Sequence, residues 1–201
     1  MPELAELFDI TAARRLDAQA STLLGDGGAS LMDQAGQAAW HCLLERWPQA
    51  QHIGVVVGAG NNGGDGYVLA RLAREAGRRV TVLRLDTDAP ATPLAQQAEQ
   101  AFIAAGGGVE RFDGALPPVD LLVDALFGIG LNRAPAGAAV DLITAINGAG
   151  VPVLALDVPS GVDARTGHVP GVAIRATVTL QFIVRHQGPV SYTHLTLPTK
   201  R

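Results

Sequence analysis

Ile53–Ala70, IGVVVGAGNNGGDGYVLA, is the stretch on which the rest of the chain depends. Its opening run, Ile53–Val57, is too short for an isolated helix and rich in β-branched side chains, which reads as a buried strand. A glycine-rich loop follows, carrying Asn61 and Asn62 and passing Asp65 before an apolar helical pattern resumes. Glycines let the backbone turn sharply and lie close to a ligand. Amides freed at such a strand-to-helix turn carry partial positive charge, so the loop is a seat for phosphate.

Gly58, Gly60 and Gly63 satisfy the spacing G-x-G-x-x-G, and Asp86 ends the next expected strand about 20 residues on, where a dinucleotide fingerprint places an acid for the ribose. Against an ordinary fingerprint stand Asn61, Asn62 and Asp65, which put amide oxygens and a carboxylate where a pyrophosphate binder keeps small neutral residues. The loop is suited to coordinate as well as to cradle. Asp65 has an equally weighted second reading as the N-cap of the following helix.

Outward from this loop, strand and helix patterns alternate. Upstream, Thr11–Leu24 and Ser30–Trp47 read as helices, with Met32, Ala35, Ala39, Leu43 and Trp47 at helical spacing and Ser30 and Pro48 marking the ends of the second. The small residues Ala35 and Gly36 read by default as plain core packing, and they also suit close packing against the sheet or a partner chain. Downstream, strands are expected at Arg79–Leu85, Val109–Phe112, Val119–Ala125, Val151–Leu156 and Ala176–Ile183, and helices at Tyr67–Ala76, Leu94–Ala105 and Ala138–Ile146. Such alternation implies one α/β domain with a mainly parallel sheet covered on both faces, behind an N-terminal helical lead-in.

Composition agrees with this. The 201 residues suit one sizeable domain, and 48% hydrophobic content fills a core. A net charge of −4 without a basic stripe argues against a nucleic-acid surface. Cys42 is the sole cysteine, so no internal disulfide can form, and its apolar helical setting reads as a buried thiol. MPELAELFDI has neither a basic start nor a long apolar core, and no run approaches a membrane span. The expectation is a soluble, cytoplasmic protein with no membrane partner.

In an open parallel sheet, ligands sit beyond the carboxyl ends of the strands. Asn62 follows the first strand, Asp124 closes VDLLVDALFG, and Asp157 and Ser160 close VLALDVPSG. Each alone is commonly a turn-stabilising residue. Together, one carboxylate with amide and hydroxyl oxygens suits a hard, weakly charged cation.

GAGNNGGDG, the upstream LMDQAG, then DALFGIGLNR and LDVPSGVDARTG together form a set of four motifs. In these four motifs the chain resembles the NAD(P)H-hydrate epimerase family, the YjeF N-terminal domain, from about Ile10 to about Ile183. The resemblance implies a Rossmann-like three-layer α/β/α sandwich and an isomerase that interconverts the R and S forms of hydrated NADH or NADPH at C6 of the nicotinamide ring. It further implies that Asn62, Asp124 and Ser160 ligate a potassium ion. Asn61, Asn62, Gly63, Gly64 and Asp65, then Gly128, Ile129, Gly130, Leu131, Asn132, Arg133 and Ala134, and Asp157 would contact the dinucleotide. Asp157 is the first candidate for the catalytic acid and base, because a carboxyl group at the sheet mouth can give and take the proton of the C6 hydroxyl. A homodimer is the expected assembly, and relatives of this family often continue into an ADP- or ATP-dependent dehydratase.

Two other readings compete. An NAD-linked oxidoreductase has the glycine spacing and Asp86 but no visible substrate domain. A non-catalytic nucleotide-binding or scaffold module of the same fold would be favoured by loss of the aspartates, and both Asp124 and Asp157 are present. The family pattern departs near the end, where His186 stands in place of a usual lysine. Residues 1–188 are expected to form the domain, with 189–201, including SYTHLTLPTKR, foreign to it and the chain truncated there.

Overall fold

The computed structural model describes residues 7–8, 12, 15–16, 19, 22–86, 88–131, 133–182 and 185–186. In chain order the elements are β1 (Leu7–Phe8), α1 (Ala29–Arg46), β2 (His52–Val57), α2 (Asn61–Glu75), β3 (Arg79–Arg84), α3 (Pro93–Ala104), β4 (Val109–Arg111), β5 (Leu121–Ala125), α4 (Ala138–Gly148), β6 (Val153–Leu156), β7 (Val178–Leu180) and β8 (Arg185–His186). Each expected strand and helix from residue 29 to 180 is present, with ends shifted by a few residues. Of the expected Thr11–Leu24 helix, Ala12, Arg15, Leu16, Gln19 and residues 22–24 are helical, and the rest lies outside the described residues. The proposed foreign tail lies outside them entirely.

The main sheet has the order β4-β3-β2-β5-β6-β7, and every neighbouring pair is parallel. The apolar run opening at Ile53 supplies its centre. Ile53 faces Val80 on one side and Leu121 on the other. Strands with neighbours on both edges and layers on both faces are apolar almost throughout, which is why β2 and β5 carry near-continuous apolar runs rather than alternation. From β2 the chain winds outward to β4, then crosses back to β5 and winds the other way. This is the doubly wound, Rossmann-like order, and it opens a crevice at the carboxyl ends of β2 and β5.

Side-chain alternation divides the core into two. Val55, Val57, Val123, Leu154, Leu156, Val178 and Leu180 face α1, α2 and α3, meeting Leu43, Tyr67 and Phe102. Val56, Leu122 and Val153 face α4, meeting Leu142, Ile143 and Ile146. A fully buried side chain of this size stabilises by about 1.5–3 kcal/mol. Cys42 is buried in the first layer, as expected, and burial raises its thiol pKa. Among the described residues no helix is long and apolar enough to cross a membrane.

One local expectation is corrected and two are refined. Asp65 is not an N-cap: α2 begins at Asn61 behind Gly60, so the loop is three residues long and the asparagines lie in the first helical turn. Ser30 does mark the start of α1, one residue inside it, without capping it. Asp26 takes that role, its carboxylate accepting from the amides of Gly28 (3.0 Å) and Ser30 (2.8 Å), and its hydrogen bonds to Ser30 and Gly28 lower its pKa. Gly36 packs α1 on α2 within the core, in keeping with its default reading, since a Cβ there would collide with Val68. One unexpected element is the short parallel pairing of β1 with β8, Leu7 opposite Arg185 and Phe8 opposite His186.

Candidate active site

The crevice is built on backbone approaches that only glycine permits. A Cβ on Gly58 would enter the carbonyl of Leu126, and one on Gly63 would enter the carbonyl of Gly58. The end of β2, the first turn of α2 and the loop after β5 are thereby stacked main chain on main chain. The amides of Asn61, Asn62 and Gly63 precede the first bond of the helical ladder, from Gly64 N to Gly60 O (3.2 Å). Gly60 itself is open, with nothing within 4 Å of a Cβ built there. Helix amides left free in this way are the geometry that binds anions in general.

Asp124, the fourth residue of β5, is 1% exposed, as is Ser160. Its Oδ1 accepts from Ser160 Oγ (2.6 Å) and from the amide of Leu126 (3.2 Å), and its Oδ2 accepts from the amide of Ser160 (2.8 Å). Burial raises the Asp124 pKa to about 6, outweighing the bonds from Ser160 and Leu126 that favour the charged form. Ser160 Oγ in turn accepts from the amide of Phe127 (2.8 Å). Asn62 reaches the same loop from the other side, its Nδ2 donating to the carbonyl of Phe127 (3.1 Å). Asn62 Oδ1 is buried without a hydrogen-bond partner.

Asp157 directly follows β6 and has φ 64, the only non-glycine residue in the left-handed region among those described. Such strain persists only where surrounding structure enforces it, and it concentrates at functional sites. Here the backbone amide of Asp157 donates to Leu180 O (2.7 Å), continuing the β6–β7 ladder, while Oδ2 accepts from the amide of Ile129 (3.1 Å). Gly128 lies between the two arms: a Cβ there would stand 3.0 Å from Asp157 Oδ2 and 3.3 Å from Asn62 Cβ. Asn62, Asp124, Gly128, Ile129, Asp157 and Ser160 therefore form one cluster around the loop after β5.

The other sequence candidates are placed differently. Asn61 is exposed and its Oδ1 accepts from Thr92 Oγ1 (2.7 Å), tying α2 to the residue that caps α3. Gly64 is occupied in packing, since a Cβ there would meet Met32 Cε at 2.5 Å. Asp65 is half-buried within α2. On the outer part of the loop Gly130, Arg133 and Ala134 are exposed and Leu131 is half-buried, while Asn132 lies outside the described residues. Asp86 pairs with Arg111 at the edge of the sheet. Sequence reasoning overlooked Phe127, whose peptide joins Asn62 to Ser160, because a backbone role leaves no mark on residue type. It also overlooked Thr179 and Gln181, whose buried side-chain polar atoms have no partners.

Residues 28–188 match the family described as YjeF-related protein N-terminus. The chain is 42% identical over 176 residues to the bifunctional NAD(P)H-hydrate repair enzyme Nnr of Escherichia coli, covering 87% of this chain and 34% of that one. It is 46% identical over 159 residues to the Coxiella burnetii protein of the same description, 79% and 33% respectively. Against the NAD(P)H-hydrate epimerase of Limosilactobacillus fermentum it is 39% identical over 184 residues, 90% of this chain and 88% of that one. The chain thus spans about a third of the bifunctional relatives and most of the shorter one. The crystal structure of yeast ynu0, YNL200c, superposes with a TM-score of 0.81 over 94% of this chain and 84% of that one at 22% identity, which shows a common fold. With three of the four sequence motifs meeting at one sheet mouth and the match running through all four, the chain belongs to the YjeF-related protein N-terminus family.

Proposed function

We propose that this chain epimerises hydrated NADH and NADPH at C6 of the nicotinamide ring, a metabolite-repair isomerisation, with Asp157 as acid and base. The observation that carries the proposal is the strained Asp157, whose carboxylate is held against Gly128 and Ile129 at the crevice of a family whose relatives are described as NAD(P)H-hydrate epimerases and repair enzymes. The first-turn amides of α2 seat the diphosphate. The ring nitrogen lone pair expels the C6 hydroxyl as the protonated Asp157 carboxyl delivers its proton, releasing water and leaving a planar cation. Water returns to the opposite face and gives its proton to the carboxylate, so the acid is regenerated and only configuration has changed.

Potassium fits the residues at the base of the cluster. Asn62 Oδ1 is a buried oxygen without a partner, the donor set is all oxygen, and the Asp124 carboxylate is buried with no Lys or Arg paired to it among the described residues. Asn62, Asp124 and Ser160 would hold the ion. When bound, it supplies fixed positive charge beside a buried carboxylate and a negatively charged substrate. Residues 1–188 are proposed as the catalytic unit, working as a homodimer and joined to or acting with a dehydratase, in keeping with the one-third coverage of bifunctional relatives.

The deciding experiment presents purified R-hydrate of NADH at neutral pH and follows S-hydrate chromatographically against a blank without enzyme. Conversion no faster than the blank, with and without potassium, would refute the proposal.

A further inference from the structure

Gln181 lies one residue beyond β7, and its side-chain Nε2 and Oε1 are both buried without a hydrogen-bond partner. Native interiors satisfy nearly all such groups, so an amide missing every bond needs a reason. Its place supplies one. Leu156 faces Leu180 in the β6–β7 register, and the amide of Asp157 donates to Leu180 O (2.7 Å). Gln181 and Asp157 therefore follow the last register pair of two adjoining strands, whose spacing is roughly 4.8 Å.

The face is also settled by register. Val178 and Leu180 face the layer of α1, α2 and α3. Thr179, and by period two Gln181, thus belong to the opposite face. Asp124, Ala155 and Thr179 form one row across β5, β6 and β7. Ala155 ends at Cβ, so no long side chain stands between Asp124 and the β7 polar pair. Thr179 Oγ1 is likewise buried without a partner.

We propose that Gln181 is a specificity-determining residue that pairs with the carboxamide of the substrate's nicotinamide ring. This rests on the epimerase reading given above. A primary amide offers an acceptor and two donors, so two amides can bond reciprocally, one donor and one acceptor each. On the ring, the carboxamide carbon and the hydrated C6 occupy opposite positions. A group on β7 that holds the carboxamide, with Asp157 on the adjoining strand at C6, fixes which edge of the ring meets the acid.

The test measures kcat/KM of wild type and Gln181→Leu on hydrated NADH and on the hydrated 3-acetylpyridine analogue, whose methyl ketone keeps the acceptor and lacks the N–H donors. Wild type should prefer the carboxamide by about 10- to 100-fold, the worth of one buried acceptor left unsatisfied by the analogue. Gln181→Leu should bring the natural hydrate down to the level of the analogue, erasing the preference without lowering the melting temperature. A preference that survives the substitution, or is absent from wild type, overturns the proposal, as does a fall in melting temperature with the preference intact. If wild type shows no epimerisation, the functional reading fails by itself, and Gln181 is judged by calorimetric titration with nicotinamide mononucleotide. Tenfold weaker binding to the variant supports the assignment; equal binding, or none to either protein, overturns it.

Discussion

Replacing Asp157 with glycine separates the strain at this residue from its chemistry. Asp157 holds φ 64, and a left-handed conformation costs an L-residue about 1–2 kcal/mol. Glycine removes that cost but gives back about 0.4–1 kcal/mol through the freer unfolded chain. Losing the acceptor for the Ile129 amide costs about 1 kcal/mol more. These contributions nearly cancel, so Asp157→Gly should unfold within about 1 kcal/mol of wild type, a shift of only a few degrees in Tm for a chain of this size. Asp157→Ala loses the same acceptor and keeps the strained backbone but not glycine's unfolded-chain freedom, so it should be about 1 kcal/mol less stable than the glycine variant. Both variants should lose turnover by about 10²–10⁴-fold, the usual worth of a positioned proton donor. Thermal melts and the chromatographic epimerase assay near neutral pH check the two halves independently. A glycine variant no more stable than the alanine variant would refute the strain argument. Near-normal turnover in either variant would refute the assignment of the acid, and loss of turnover in Asp124→Asn with potassium binding intact would move that role to Asp124.

Asn62→Ala and Ser160→Ala should both lower activity and its dependence on potassium, and an unchanged potassium response in both would remove the cation from the reading. Ser160→Ala should also destabilise by about 1–3 kcal/mol in a denaturant titration, because it strips a hydrogen bond from buried Asp124 and the acceptor from the Phe127 amide. Gly63→Ala should give little folded protein, since its Cβ would enter the carbonyl of Gly58, whereas Gly60→Ala, at an open position with φ −88, should stay within about 1 kcal/mol of wild type. Asp120 accepts from the amides of Gln51 (2.8 Å) and His52 (2.9 Å), which lower its pKa. Its contribution is then full above the unfolded carboxylate pKa and fades as pH falls through the lower folded value. Melts of wild type and Asp120→Asn should therefore differ near neutral pH and converge in strong acid, and a constant gap would contradict this.

The parallel sheet is legible because β2, β5 and β6 are apolar runs bounded by glycine or proline, and their buried interiors demand nothing else. Asn62, Asp124, Asp157 and Ser160 can be grouped from sequence for a related reason: polar residues that end apolar strands must emerge at one edge. What stays hidden is set by contacts between distant segments. The start of α2 escapes sequence reading because glycine and asparagine are weak helix formers, and only close packing on the Gly58 carbonyl, Val57 and Ala125 makes a helix there worth its conformational cost. Asp26 escapes notice as a cap because it stands three residues ahead of α1 and reaches in across Gly28. The pairing of Leu7 with Arg185 joins two-residue strands that are too short to show a period.

All neighbours in the six-stranded sheet run parallel. No two of these strands can meet through a tight hairpin, so each pairing waits on an intervening crossover and closes a long loop before any ladder bond is made. Refolding is therefore expected to be slow for the chain's size, with β2 left exposed until both β3 and β5 arrive. During that interval a strongly apolar central strand has two open edges, and the same segment that organises the native site is the one from which misassembly between chains would begin.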